Sequence, residues 1–352
     1  MTAIAPIKFV AIGGGTGLST LLRGLKPNLE PPCSEGTAGP RPEGRVGRGR
    51  ACPRISLTAI VTVTDDGKSS GRLRGEFSVL PPGDIRNCLV ALADEDQFMT
   101  RLFRHRFPGD GAVGGHSLGN LILLALSQMN GNFLEAIEQA RDLLGIKTAR
   151  VLPSTLERVD LVAQVRNKLV RGQVAIKSQN APIRELALSP PDARGLPDAV
   201  RAIQEADLIT LGPGSLFTSI IANLLVPDIA RALAESKAKK IYICNAMTEF
   251  DETDGLTAAD HLRQLLAYAP NMKLDYALFN CSPISAEMLG RYAAENAIFL
   301  SAPSSAELAE LTATTQQANA IQFISLPLVS ESRAVRHAPE KLSKAIFNIY
   351  AR

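Results

Sequence analysis

The chain has 352 residues, 45% hydrophobic and 21% charged, which is ordinary globular composition and enough length to bury a core without cross-links. Lys and Arg total 38 against 35 for Asp and Glu, and aromatics are 5% with no Trp, which excludes nucleic-acid binding through bulk charge or a stacking platform. The longest aliphatic run, Leu121–Leu126, is far short of the ~20 residues of a membrane helix, and no basic n-region opens a secretory signal. Five cysteines, at 33, 52, 88, 244 and 281, form no metal-binding pattern. A cytoplasmic protein with reduced thiols and no membrane insertion is expected.

Ile7–Ile12 reads as a short apolar strand. It runs into Gly13-Gly14-Gly15-Thr16-Gly17, after which Leu18, Leu21, Leu22 and Leu25 recur on one helical face. Strand, glycine loop and helix open a nucleotide-binding α/β fold. Positions 30–54 interrupt it. These 25 residues hold five Gly, five Pro and five Arg but only Val46 as an aliphatic side chain beyond alanine, so a flexible insertion is expected. A β-branched strand, Ile55–Val63, follows and ends in Thr64-Asp65-Asp66-Gly67, with a flexible polar loop through Arg72 beyond it.

Helices are expected near 85–93, 97–106 and 117–129, with Asp84 and Ser117 as N-caps of the first and last. The last is apolar on nearly every side and reads as buried. Residues of about 150–195 suggest a smaller irregular lobe, with short strands at 155–166, 173–176 and 186–188. Alternation then returns: helix 197–206, strand Leu208–Leu211, a Gly212-Pro213-Gly214-Ser215 loop, and a helix carrying Ile220, Ile221, Leu224 and Leu225. Strand Lys240–Cys244, helix 257–268, strand Leu274–Phe279 and helix 285–295 continue it. Such alternation predicts an α/β fold with a mainly parallel sheet covered on both faces.

The glycine loop departs from GxGxxG, because Leu18 stands at the third glycine position. Its physical logic survives. Glycines let backbone approach a phosphate, and the N–H groups of the helix that begins at Thr16 point toward anions. A tight turn without ligand is the alternative. Asp65 and Asp66 stand where an acid meets ribose hydroxyls in such folds; their 52-residue distance from Gly13 falls to 27 once the insertion is set aside. The pair could instead hold Mg²⁺ beside phosphates, or form a solvated turn.

Ser69, Ser70 and Arg72 add donors and charge to the same stretch. Asp84, Arg86 and Asn87 crowd one helix start with more polarity than a cap needs. His116, Ser117 and Asn120 follow a pair of glycines; His116 is a candidate acid/base, or a structural hydrogen-bonder. Gly212, Pro213, Gly214, Ser215, Thr218 and Ser219 form a second strand–glycine–helix junction able to hold an anion. Asn245 and Thr248 follow the next strand. In open α/β sheets, this carboxyl edge is where ligands bind.

The runs GGGTGLSTLLRGLK (13–26), LTAIVTVTDDGKSSGRLR (57–74), PPGDIRNCLVALA (81–93), GGHSLGNLIL (114–123), RVLPSTL (150–156), ADLITLGPGSLFTSI (206–220) and NAMTEFDET (245–253) resemble the gluconeogenesis factor family (YvcK-like). That family is related to the CofD-type 2-phospho-L-lactate transferases. The resemblance implies one CofD-like domain over residues 1–352, a Rossmann-like three-layer sandwich. It also implies a cytoplasmic homodimer that binds a UDP-sugar or NAD-type nucleotide and serves cell shape and envelope synthesis on gluconeogenic carbon. The CofD relationship implies an alternative: a phosphoryl-group-type transferase using a nucleoside-diphosphate-activated donor, with Mg²⁺ at Asp65 and Asp66, and His116 as a further catalytic candidate. A dehydrogenase fits less well without the third glycine. The chain departs from the family pattern at Lys68, where glycine is usual, at Ala222, where proline is usual, and at Glu249-Phe250-Asp251, where Gln-Pro-Gly is usual. The two extra carboxylates would repel phosphate unless they point away or face a cation.

Overall fold

The structure is a computed structural model that describes residues 5–29, 53–179, 181–294, 296–315, 318, 320–331 and 334–352. The insertion expected at 30–54 lies outside the described residues except for its last two positions. In chain order, β1 (Ile7–Gly13) and α1 (Gly15–Leu25) precede β2 (Ile55–Val61), α2 (Lys68–Phe77), α3 (Gly83–Leu92), α4 (Phe98–Arg104), α5 (Leu118–Asn130), α6 (Phe133–Leu143) and β3 (Ala149–Pro153). Next come β4 (Asp160–Val165), β5 (Lys168–Arg171), α7 (Gln173–Lys177), β6 (Arg184–Ser189), α8 (Pro197–Glu205) and β7 (Leu208–Leu211). A π-helical turn, Leu216–Ile221, runs into α9 (Ala222–Leu224), then α10 (Pro227–Glu235), β8 (Lys239–Ile243), α11 (Ala258–Tyr268) and β9 (Tyr276–Asn280). The chain ends with α12 (Ala286–Ala294), α13 (Ser305–Thr314), β10 (Gln322–Leu326), β11 (Val329–Glu331), β12 (Val335–His337) and α14 (Pro339–Tyr350).

Seven parallel strands form one sheet in the order β10-β9-β8-β7-β1-β2-β3. Its central strands are apolar runs buried along their length: Leu208–Leu211 and Tyr276–Asn280 throughout, and Phe9–Gly13 in β1. A strand buried on both faces needs helices above and below, and that is what α/β alternation supplies. The chain builds outward from β1 to β3 on one side, then crosses to β7 and builds outward again. The carboxyl ends of β1 and β7 therefore flank a topological switch point, the crevice where open sheets receive ligands.

Residues 160–189 make a second, three-stranded antiparallel sheet in the order β5-β4-β6, whereas Ala149–Pro153 belongs to the edge of the main sheet. No single helix among the described residues is long and apolar enough to cross a membrane. Cys88, Cys244 and Cys281 are free thiols; Cys33 and Cys52 lie outside the described residues.

Several local expectations give way to tertiary packing. The stretch from Lys68 is helix α2 rather than a flexible loop, because Leu73 is buried and Arg74 donates to Val159 O and to Asp160. Gln173–Lys177 is a helix although Val174 and Ile176 favour strands; Asp66 receives the N–H of Val174 and holds its first turn. Ser117 caps α5 as expected, yet the helix is covered on one side only and Met129 is 78% exposed. Asp84 does not cap α3, whose N-cap is Pro82, and its carboxyl turns instead toward the glycine loop.

Candidate functional site

Two glycine loops meet at the switch point. Gly15, at φ +60°, turns the chain from β1 into α1 through a conformation that residues with a Cβ avoid. Gly17 is required by proximity: a Cβ there would stand 2.5 Å from the Pro213 carbonyl oxygen and 2.7 Å from the Gly214 nitrogen. Asn223 ties the two stretches, its Nδ2 donating to the carbonyls of Gly13 at 3.0 Å and Ser219 at 2.6 Å. The first N–H groups of any α-helix lack an acceptor four residues back. Here Gly15, Thr16 and Gly17 line a cavity of about 230 Å³ whose facing wall is Pro213, Gly214 and Ser215.

The loop after β8 closes a third side with Asn245, Thr248 and Glu249. Thr248 is committed to structure, since its N–H donates to Ile298 O at 2.8 Å and its Oγ1 accepts the Ile298 N–H at 2.7 Å. Tyr292, Arg336 and His337 also line the cavity, and sequence reading had not singled them out. His337 is buried, burial pushes its pKa down to about 4, and its Nε2 has no partner among the described residues. It presents a neutral imidazole with one polar atom to spare.

Glu249 and Glu252 answer the question raised by the altered loop. Glu249 Oε2 accepts from Ser215 Oγ at 2.5 Å. Glu252, with 0% side-chain exposure, accepts the N–H groups of Phe217 and Thr218 at 2.9 and 3.1 Å and the Thr218 hydroxyl at 3.0 Å. The anion at this second helix start is thus the protein's own, and Ser215 and Thr218 already hold carboxylates. Lys177 of α7 balances them, its Nζ 2.5 Å from Glu252 and 3.7 Å from Glu249. Burial alone would lower the Lys177 pKa, but the two carboxylates outweigh it and hold it above its usual value. Burial, reinforced by the charge of Glu252, pushes Glu249 up to about 7 against the pull of Lys177 and Ser215. Phe250 and Asp251 line a separate open hollow.

Asp84 stands behind the glycine loop. Its Oδ2 lies 2.7 Å from where a Cβ on Gly14 would be, and Ser219 Oγ lies 3.1 Å from the same point. Burial, with the charge of Asp65 adding to it, pushes Asp84 up to about 7, while the Gly15 N–H, Arg86 and Asn87 pull the other way. The carboxyl is crowded by protein yet only half-buried from solvent. Asp65 Oδ1 accepts the Gly67 N–H at 3.0 Å, and its Oδ2 would lie 3.2 Å from a Cβ on Gly83. Asp66 instead binds the Val174 N–H at 3.0 Å. The acid beside Asp65 that reaches the glycine loop is therefore Asp84.

The remaining expected residues form a polar scaffold away from the cavity lining. Ser69 Oγ and His116 Nδ1 are 2.8 Å apart, Asn120 Nδ2 donates to Ser69 Oγ at 3.0 Å, and Arg86 Nε donates to Asn120 Oδ1 at 3.2 Å. This chain joins α2, α3 and α5. Ser117 caps α5, Ser70 packs against Gly83, and Arg72 donates to the carbonyls of Ala112 and Gly114. Desolvation, helped by the charge of Arg72, lowers the His116 pKa, so its ring is neutral at pH 7. The remote neighbours left no local signal in the sequence; the glycines did.

Comparison with known proteins gives a consistent picture. The family model described as 2-phospho-L-lactate transferase CofD matches residues 9–321. The gluconeogenesis factor of Bacillus subtilis is 37% identical over 343 residues, 97% of this chain and 98% of that protein. The gluconeogenesis factor of Halalkalibacterium halodurans is 40% identical over 289 residues, 82% of each chain. A crystal structure of a Bacillus halodurans protein superposes with a TM-score of 0.84 at 37% identity, covering 97% of this chain and 99% of that one.

Proposed function

This chain belongs to the gluconeogenesis factor family, which is related to the CofD transferases, and from that membership we propose that it is a cytoplasmic binding protein for a nucleotide-sugar, a UDP-sugar in the first instance, or an NAD-type dinucleotide. One observation carries the reading: two glycine-bearing turns from distant stretches, 13–17 and 213–215, meet across one cavity at the switch point. The first-turn amides of α1 suit a diphosphate. Asn245 and Glu249 suit hydroxyls, because a carboxylate accepts from a sugar or ribose hydroxyl but repels phosphate. Tyr292 and Arg336, which line the cavity, offer further polar contacts to the ligand. The cellular role that goes with this reading is support of cell shape and envelope synthesis during growth on gluconeogenic carbon, by a homodimer.

A second reading has its own observation. Asp84 lies against Gly14 of the glycine loop, close enough to Asp65 to feel its charge. Among the described residues no group of three or more His, Cys, Asp or Glu could hold a metal, but Mg²⁺ is commonly held by one or two carboxylates together with substrate phosphates. Asp65 and Asp84 would hold it, and the ion would neutralise charge developing on the nucleoside monophosphate that leaves as the bond between the α- and β-phosphates breaks. The amides of Thr16 and Gly17 would bind the same oxygens.

Calorimetry with UDP-N-acetylglucosamine and with NAD, with and without Mg²⁺, tests both. Saturable binding with the nucleotide recovered intact is expected. Release of UMP that depends on Mg²⁺ would favour the transferase, and no heat with either ligand at millimolar concentration would overturn the proposed site.

A further inference from the structure

Beside the glycine-loop cavity, a cleft of about 290 Å³ is lined by residues of α1 and α3, and its charge is unusual. Arg23 of α1, Arg86 of α3, Arg104 of α4 and Arg336 of β12 all line it. The one acid there, Glu95, is already bound to Arg104 at 2.9 Å. Among the described residues, Arg23, Arg86 and Arg336 form no ion pair; Arg23 donates to Thr20 Oγ1 and Arg86 to Asn120, which leaves guanidinium N–H groups of both without acceptors. The like charges act on one another. Burial lowers the Arg23 pKa, and Arg104 and Arg336 lower it further while Glu95 opposes them. Burial brings Arg86 down to about 10, with Arg106 adding to the effect and Asp84 opposing it. Four cations from four separate elements against one paired acid make the cleft strongly positive, which favours an anion among them.

We propose that this cleft is a second anion-binding site, separate from the nucleotide cavity, for a small metabolite carrying a phosphate monoester. Guanidinium forks converging from different elements match the three terminal oxygens of a tetrahedral phosphate better than the two coplanar oxygens of a carboxylate. Asn87, beside them, adds an amide for a hydroxyl of the same molecule. Thr16 and Arg336 line both this cleft and the glycine-loop cavity. A ligand in one therefore reaches side chains that also border the other, which is the arrangement expected of an effector or second substrate.

The test uses the full chain and the variant R23Q/R104Q, whose altered side chains are exposed and lie outside the nucleotide cavity. Crystals soaked in tungstate, a phosphate mimic, are expected to show an anomalous peak against Arg23, Arg86 and Arg104 that is lost in the double variant, whatever is seen at Gly13–Gly17. In solution, inorganic phosphate should bind about tenfold or more weakly to the variant, and malonate, a planar dianion, should bind the wild type more weakly than phosphate does. UDP-N-acetylglucosamine calorimetry on the variant shows whether the nucleotide site stands independently. A cleft without a peak in the wild type, a peak that persists in the variant, or malonate binding as well as phosphate would overturn the proposal.

Discussion

Asp84 shows how a single residue can look local and act at a distance. Read along the chain it is a helix cap; in the fold it lies against Gly14 and receives the Gly15 N–H. Its pKa is raised to about 7 from an ordinary 3.8. Well below pH 3.8 the group is protonated in both the folded and unfolded chain and contributes nothing. As pH rises, the unfolded chain loses its proton while the folded one retains it, so stability falls through this window and the full penalty is present above about 7. Asp84→Asn removes the titration while keeping the acceptor for Gly15. The variant is expected to melt at a higher temperature than wild type at pH 8, with the gap attributable to the titration gone by about pH 3, in buffer free of divalent cations. A Tm gap that does not change with pH would show that Asp84 is not held near neutrality. The glycine loop itself was legible because its signal is contiguous: strand, glycines, helix. Asp84 was picked out only as surplus polarity, since its partner lies about 70 residues away in sequence.

Among the elements, α7 repays attention because it is short, comes from the antiparallel lobe, and touches both sides of the main sheet's ligand edge. Its first turn binds Asp66 from the loop after β2, and Lys177 at its end binds Glu252 and Glu249 from the loop after β8. Nothing in the sequence announced it, because Val174 and Ile176 favour strands and the contacts that override them are long-range. The main-sheet strands, by contrast, were legible as apolar runs, since burial on both faces leaves no room for polar residues. Lys177→Met removes the cation from a carboxylate that is wholly buried. Glu252 still has three hydrogen-bond donors, which moderates the loss, so a cost of about 3 kcal/mol in chemical denaturation is expected. Glu252→Gln in the Lys177→Met background should recover part of it, because the uncompensated charge is gone. A double variant whose loss equals the sum of the two single losses would mean that the pair is not coupled.

At the scale of the whole molecule, the decisive feature is that the chain leaves β1 in one direction and returns at β7 to build in the other. The sheet order 10-9-8-7-1-2-3 could not be read from the sequence, because alternation fixes the layers and not the order of strands within them. Yet that order is what brings Gly17 onto Pro213, nearly 200 residues later, and makes one cavity out of two turns. A ligand there touches both halves of the sheet at once, so its binding energy stabilises the junction and not one loop alone. At a hundredfold excess over Kd the native state gains about 2.7 kcal/mol over the unfolded chain. Hydrogen exchange shows where the gain falls. With UDP-N-acetylglucosamine bound, slowed exchange is expected together in 13–20, in 213–219 and in 245–249, while the scaffold around His116, which does not line the cavity, changes little. Protection confined to the first segment would describe an ordinary phosphate loop with the other two as bystanders. Protection of all three, present together and lost together as ligand is diluted away, is what a single site spanning the switch point requires.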